Sequence, residues 1–161
     1  MKILTALFAL CVLAAPTALA QTVDVTAPPL TDSDVQLMRS DVQAGKNDII
    51  AHTMKFTDAE STAFWPVYRD YARDQHVIGD QHWELLKDYA QHYETMDDVK
   101  AKDLAHRMID VEEKNVKLRA DYWPKFEKVL GAKRAAKFYQ VDHRLSLIIE
   151  MKLATEIPLI Q

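Results

Sequence analysis

The sequence predicts an elongated all-α protein of about four helices, two of them long and antiparallel. Apolar residues recur at steps of three and four from residue 33 onward, and no segment alternates with period two over a useful length. Only three glycines and six prolines occur in 161 residues, too few for the many tight turns of a β-sandwich or barrel. The chain length favours a single helical domain, predicted over residues 33–161.

The first helix is predicted over about residues 33–53. Gly45 lies on its apolar stripe at a cost of about 1 kcal/mol relative to alanine, so we expect the helix to be loosened there. Ile50 lies beside the stripe, and the stripe itself consists of Val35, Met38, Val42 and Ile49.

The second helix has the clearest start. Thr57 and Glu60 form a capping-box pattern, in which each side chain can accept a hydrogen bond from the other residue's amide. The helical pattern continues to about residue 94, with Gly79 as its weak point. Its apolar stripe consists of Phe64, Tyr68, Tyr71, Ile78, Leu85 and Tyr89.

The third and fourth helices are predicted over about residues 97–129 and 132–155. Gly131 is expected to end the third helix, and Pro158 ends the fourth. At about 1.5 Å per residue, the second and third helices are each roughly 50 Å long, and their stripes suit antiparallel packing near a coiled-coil angle. The inward residues are Leu104, Met108, Val111, Leu118, Tyr122 and Val129 in the third helix, and Phe138, Val141, Leu145 and Ile148 in the fourth.

Two similar aromatic-Trp-Pro-x-aromatic segments place Pro66 and Pro124 inside the long helices. Each proline removes one backbone hydrogen bond and pushes on the carbonyl four residues earlier, which kinks a helix. The alternative is that each proline occupies the first position of a new helix after a break. Because the apolar stripes pass through both prolines without a change of phase, we favour kinks that bow the two helices.

The first twenty residues, 1–20, have the pattern of an export signal. A lysine precedes an apolar run over residues 3–15, and residues 18–20 form an A-x-A cleavage pattern. We expect cleavage before Gln21, a flexible leader over residues 21–32, and a periplasmic location, with secretion as the second choice. An uncleaved anchor is the alternative, but the run is shorter than the ~20 residues of a membrane span.

Charge and cysteine content exclude several classes of function. The 20 basic and 24 acidic side chains leave no basic surplus, so we expect no nucleic-acid partner. Cys11 is the only cysteine and leaves with the signal, which excludes a cysteine nucleophile, cysteine-ligated zinc and disulfides in the mature chain. The G-x-S-x-G, H-E-x-x-H, Walker and G-x-G-x-x-G motifs do not occur, and we predict a protein that is not an enzyme.

Residues 97–144, DDVKAKDLAHRMIDVEEKNVKLRADYWPKFEKVLGAKRAAKFYQVDHR, resemble the second half of the Spy/CpxP family of periplasmic stress proteins. The similar features are an acidic start, a long charged helix with two glutamates at its middle, a short break, and a basic helix that carries Phe138. Residues 56–60, FTDAE, take the place of the family's first Leu-Thr-x-x-Gln motif, with Phe for Leu and Glu for Gln, and residues 130–134 depart further from the second. The stretch FTDAESTAFWPVYRDY also resembles a group of secreted bacterial helical proteins of unassigned function.

The resemblance implies a thin, curved, four-helix protomer that pairs into an antiparallel homodimeric cradle. It implies a chaperone-like or stress-response role, in which the protein holds unfolded clients or reports envelope stress to a sensor. Two alternatives stay open: a periplasmic zinc sensor or buffer, and a structural envelope protein.

Two histidine–aspartate pairs are candidate zinc ligands. His76 and Asp80, and likewise His106 and Asp110, are spaced i, i+4 and therefore share a helix face. Each pair can supply two ligands to zinc, and a third must come from another helix or a second protomer. Zinc is the candidate cofactor that the resemblance also implies, and the alternative is that these histidines are solvated on a charged face.

Two polar residues, His82 and Asn115, fall within the apolar stripes of the long helices. A buried polar group without a partner costs a few kcal/mol, about 1–3 in proteins, so such groups often fix register. His82 is either a satisfied core histidine or a pH-sensitive joint, because its charge changes near an ordinary pKa of about 6.5.

The end of the fourth helix is apolar round most of its circumference, which is typical of a helix buried on several sides. Three uses are open: intramolecular core, a dimer seam, or contact with a client or a membrane. The residues expected to form a client or dimer surface are Leu147, Ile149, Met151 and Leu153.

Overall fold

The computed structural model describes residues 32–157 and 159–160, except for some side chains near the two ends. Four helices follow one another: α1 (Asp32–Met54), α2 (Asp58–His92), α3 (Asp98–Leu130) and α4 (Ala132–Glu156). A single 3₁₀ turn joins α2 to α3, and no strand occurs in this part of the chain. The all-α prediction is confirmed. The predicted signal and, apart from Asp32, the predicted leader lie outside the described residues.

The long helices α2 and α3 form an antiparallel hairpin. Cross-helix hydrogen bonds join Asp88 to Lys100, Gln81 to Lys114, and Asp74 to Tyr122. Residue numbers on one helix rise as those of its partner fall, which only antiparallel helices produce. The prediction of two long antiparallel helices is thereby confirmed; α2 has 35 residues and α3 has 33.

The first helix lies antiparallel against α4. Arg134 and Lys137 donate to the carbonyls of Met54 and Thr53, at 3.0 and 2.6 Å, and satisfy orphan acceptors at the end of α1. Their positive charges also complement the negative end of that helix. The start of α4 therefore caps the end of α1.

The start of α2 is the predicted capping box. Thr57 Oγ1 accepts from the Glu60 amide at 3.3 Å, and Glu60 Oε2 accepts from the Thr57 amide at 2.9 Å. The backbone bond from Thr57 holds the pKa of Glu60 below its usual value. Glu60 also pairs with Arg134 Nε at 2.6 Å, so one carboxylate ties the beginning of α2 to α4.

Both prolines lie inside continuous helices. Pro66 is within α2 and Pro124 within α3, so neither begins a new helix after a break. The alternative reading of these residues as first helical positions is wrong. The bend that each proline should impose stays a prediction.

The core lies where all four helices meet. Phe64 is the centre of an aromatic cluster and has ring contacts of 5.1 to 5.6 Å with Tyr68, Phe126 and Phe138. Edge-on and tilted arrangements predominate, which suits the charge distribution of aromatic rings. We call this region the aromatic core; its buried members are Ile50, Met54, Phe64, Tyr68, Tyr71, Tyr122, Phe126, Leu130, Ala135 and Phe138.

Two of the four residues predicted to face inward on α1 face solvent, and the side chains of the other two, Val35 and Met38, lie outside the described part of the chain. Val42 is 45% exposed and Ile49 is also exposed, whereas Lys46, Ile50 and Met54 are buried. The buried face repeats every four residues and includes a lysine, because Lys46 finds a carboxylate on α4. Hydrophobic periodicity alone does not predict this face, because a lysine lies on it.

Two further predicted inward residues lie elsewhere. Ile148 of α4 is 64% exposed, and Met108 of α3 is 36% exposed. Both belong to the half of the molecule beyond the aromatic core, where α4 no longer packs closely on the hairpin. Gly131 does end α3, as predicted, with a φ of 73° and an amide that donates to Glu127 at 2.8 Å.

Candidate functional site

An open cleft of about 650 Å³ separates the second half of α4 from the α2–α3 hairpin. One wall comes from residues 82–89 of α2 and a second from residues 101–119 of α3. The third wall consists of Glu150, Ala154, Ile157 and Ile160. A cavity of this volume is in the range of ligand-binding clefts. We refer to it as the cleft.

The cleft is lined mainly by aliphatic side chains, which favour apolar occupants. Its walls include Ala101, Ala105 and Ala154, whose small side chains leave the space open. The larger apolar lining residues include Leu85, Leu86, Leu104, Met108, Val111 and Ile157.

Charged residues lie at the edges of the cleft. Glu112 and Glu150 line it and are exposed, whereas Arg119 is half-buried at the end nearest the aromatic core. Arg119 also borders a small cavity of about 20 Å³ that it shares with Tyr71 and Asp142. It therefore connects the cleft to the polar groups inside the molecule.

Those polar groups form a buried network between α1, α2 and α4. Asp142 is 2% exposed; it accepts from the Tyr71 hydroxyl at 2.7 Å and pairs with Lys46 Nζ at 3.2 Å. Lys46 also donates to Gln75 Oε1 at 3.0 Å. Hydrogen bonds to Tyr71 and Gln75 support this buried ion pair, although Asp142 Oδ1 makes no hydrogen bond beyond its contact with Lys46.

The environment raises the pKa values of the buried tyrosines. Burial raises the pKa of Tyr68 to about 12, although Gln43 donates to its hydroxyl at 3.1 Å. Burial and the Asp142 charge raise the pKa of Tyr71, and the nearby Arg119 guanidinium only partly opposes them. Both hydroxyls stay protonated at neutral pH.

A second charged cluster closes the far end of the hairpin. Asp88 of α2 accepts from Lys100 at 3.0 Å and from Arg107, and His92 lies 3.0 Å from the same carboxylate. The hydrogen bonds from Arg107 and then Lys100 hold the pKa of Asp88 below its usual value. The cluster ties the two helices together beyond the apolar lining of the cleft.

The structure does not assemble the predicted zinc ligands into one site. His76 and Asp80 are 3.9 Å apart on α2, and His106 and Asp110 are exposed on α3. Among the described residues, no group of three or more metal-binding side chains comes together. Each pair thus stays at two ligands unless a second molecule adds a third.

The two predicted polar stripe positions both line the cleft. His82 is half-buried on the α2 wall, and Asn115 lies opposite on α3, where its amide donates to the Val111 carbonyl at 3.1 Å. Asn115 therefore makes one of its side-chain hydrogen bonds within its own helix. A role for either residue in register or pH response stays a prediction.

The predicted client or dimer surface is largely solvent-facing. Leu147 is exposed and Met151 is 69% exposed, whereas Ile149 is half-buried. The side chain of Leu153 lies outside the described residues. For Leu147 and Met151 the alternative of intramolecular core is wrong, because α4 here extends beyond the aromatic core.

Sequence reasoning missed Lys46, Asp142 and Arg119. The one available signal was the spacing of Lys46, Ile50 and Met54 at steps of four on α1. A lysine in this row indicates either that the face is solvated or that the lysine is buried together with a partner. Only the fold shows that the partner is a residue 96 positions later on α4.

No family model, no curated protein and no solved structure matches this chain. The resemblance to the Spy/CpxP family thus stays a prediction. No helix in the described part of the chain combines the length and the apolar character that a membrane crossing needs.

Proposed function

We propose that this chain is an exported, non-enzymatic protein that holds apolar segments of unfolded or partner polypeptides. The observation that carries the proposal is the open aliphatic cleft between α4 and the hairpin. The exposed residues Leu147, Ile148 and Met151 extend apolar surface along α4 beyond it. Contiguous apolar surface of this kind marks sites of interaction.

The chemistry of the cleft suits many weakly bound chains better than one fixed ligand. Its lining is aliphatic, and Met108 supplies a flexible side chain that adapts to different shapes. Charges of both signs, on Glu112, Glu150 and Arg119, accompany the apolar side chains that line the cleft. A holding protein needs these properties, because its clients share little except exposed apolar side chains.

The compartment and the wider role rest on the sequence. The export signal and the Spy/CpxP resemblance support a periplasmic location and a stress-related role. Unfolded clients or an envelope sensor are the partners we propose, with a homodimer as the assembled form. No specific observation favours the zinc-binding or purely structural alternatives.

The test uses the mature chain, residues 21–161, in an assay that follows light scattering by an aggregating client. Met108→Lys introduces a charge into the cleft, and Ile109→Lys introduces it on an exposed neighbouring position that does not line the cleft. The control is matched, because a glutamate follows four positions later in each case, Glu112 or Glu113.

We expect the unsubstituted protein, in several-fold excess, to suppress scattering. Met108→Lys should need several-fold more protein for equal protection, and Ile109→Lys should behave like the parent. Unchanged scattering with the parent protein, with zinc and without it, contradicts the proposal. A dimer that dissociates on Met108→Lys substitution, without any client protection, would instead assign the cleft to a second copy of the chain.

A further inference from the structure

Among the described residues, Arg119 is the one cationic side chain that lines the cleft. Its Nε is buried and has no hydrogen-bond partner among the described residues. The ion pairs in this part of the chain engage other arginines, namely Arg73, Arg107 and Arg134. The guanidinium thus borders an open apolar site with donor capacity to spare, since it carries five N–H groups.

The neighbouring charges leave this end of the cleft positive. Lys46 and Asp142 neutralise each other at 3.2 Å, and the Tyr71 hydroxyl donates to the same carboxylate. Arg119 is then the charge in excess where the cleft meets the aromatic core. Arg119 hydrogen-bonds the neutral Tyr71 hydroxyl but forms no ion pair among the described residues. A half-buried cation of this kind attracts a carboxylate more strongly than a solvated one does, because water screens it less.

The other cleft charges are negative and lie further out. Glu112 precedes Arg119 by seven residues on α3, about 10 Å along the helix axis. The α3 wall from residue 101 to residue 119 is about 27 Å long, the length of an extended peptide of about eight residues. An acidic side chain is therefore favoured at the Arg119 end and disfavoured at the middle.

We infer that the cleft prefers apolar polypeptide segments with an acidic residue at one end, whose carboxylate accepts hydrogen bonds from Arg119. The inference rests on the proposed function and specifies its substrate class. The aliphatic walls hold the apolar side chains, and the charge-assisted bond sets which end of the segment meets the core. Arg119 would thus select among clients that the apolar walls alone bind alike.

The test is fluorescence anisotropy with labelled, end-blocked peptides of about eight aliphatic residues and the mature chain. One pair of peptides carries glutamate at either end, a second pair carries glutamine there, and a fifth peptide carries glutamate at the middle. We expect an end-glutamate peptide to bind about tenfold more tightly than its glutamine counterpart, since a charge-assisted hydrogen bond is worth about that factor. The peptide with central glutamate, facing Glu112, should bind no better than the glutamine peptides.

Arg119→Gln should abolish the preference, so that glutamate and glutamine peptides bind the variant with equal affinity. Arg144→Gln is the matched control, because Arg144 is exposed on α4 and does not line the cleft. Circular dichroism confirms that both variants are folded, and if Arg119→Gln is not, the glutamate-to-glutamine comparison on the parent protein decides alone. Equal affinities on the parent protein, or a preference that survives Arg119→Gln, overturn the inference and leave the cleft function standing. Failure of every peptide to bind overturns both.

Discussion

The two ends of this molecule are built differently, although the same long hairpin runs through both. At one end four helices meet, and aromatic rings fill the space between them, with Phe64, Phe126 and Phe138 in mutual contact. At the other end α4 faces the hairpin across the cleft, and the apolar side chains between them leave about 650 Å³ unfilled. If the cleft binds polypeptides as we propose, stability and binding reside in separate halves of the protein.

The physical reason lies in packing. Close-packed rings gain dispersion energy from every neighbour, so the aromatic core resists change. Aliphatic groups around an open space lack neighbours on one side and gain by covering that space with another apolar group. Substitutions at the two ends should therefore differ in kind: those at the core change folding, and those at the cleft change binding.

The largest expected effect compares two residues of α3. Phe126 is buried in the aromatic core, and Met108 lines the cleft with 36% of its surface exposed. Phe126→Ala should lower the free energy of unfolding by about 3–5 kcal/mol, because it leaves a cavity. Met108→Ala should lower it by less than about 1 kcal/mol, since the side chain is already partly hydrated. Urea unfolding of both variants checks the comparison, and equal losses would contradict it.

The next effect isolates the polar part of the core. Lys46→Met removes the partner of a carboxylate that is almost fully buried, and should cost about 3 kcal/mol of unfolding free energy. Adding Asp142→Leu removes the stranded charge, so the double variant should be more stable than Lys46→Met alone. Thermal unfolding of the two variants measures this. A double variant that is less stable than the single one would show that Asp142 contributes mainly through Tyr71 and not through the ion pair.

The smallest expected effect is an alkaline loss of stability at the core end. The unfolded chain releases the Tyr68 proton near its ordinary pKa of 10.0, whereas the folded protein holds it to a pKa of about 12. The stabilising contribution is therefore fully present below the first value and is lost as pH rises through the second, by about 3 kcal/mol. Urea unfolding below and above this interval measures the slope. Tyr68→Phe should flatten the slope, and an unchanged slope would refute the assignment.

Much of the helical architecture could be predicted because it depends on local signals. The capping box of Thr57 and Glu60, the stop at Gly131, and the stripe of Phe64, Tyr68 and Tyr71 are all written in short stretches of sequence. Each is a property of one helix and its immediate neighbours along the chain. The structure has them where the pattern predicts.

The candidate site could be predicted only in part. His82 and Asn115 stand out in the sequence as polar residues within apolar stripes, and both line the cleft. The cleft itself could not be predicted, because the apolar stripe on α3 has the same sequence pattern whether or not a partner helix covers it. The exposure of Met151 on α4 could not be predicted either. An apolar helix indicates burial but does not identify the surface that buries it.

The sequence by itself determined the helices, their order and their ends, because capping, periodicity and glycine conformation act over a few residues. Tertiary structure alone decided which face of α1 is inward. Lys46 is buried because Asp142, far away in sequence, lies opposite it, and no local pattern records a pairing across that distance. Tertiary structure also decided that α4 packs on the core with its first half and faces the cleft with its second. The separation of helices is a balance of packing among several elements, and it is therefore a property of the assembled fold.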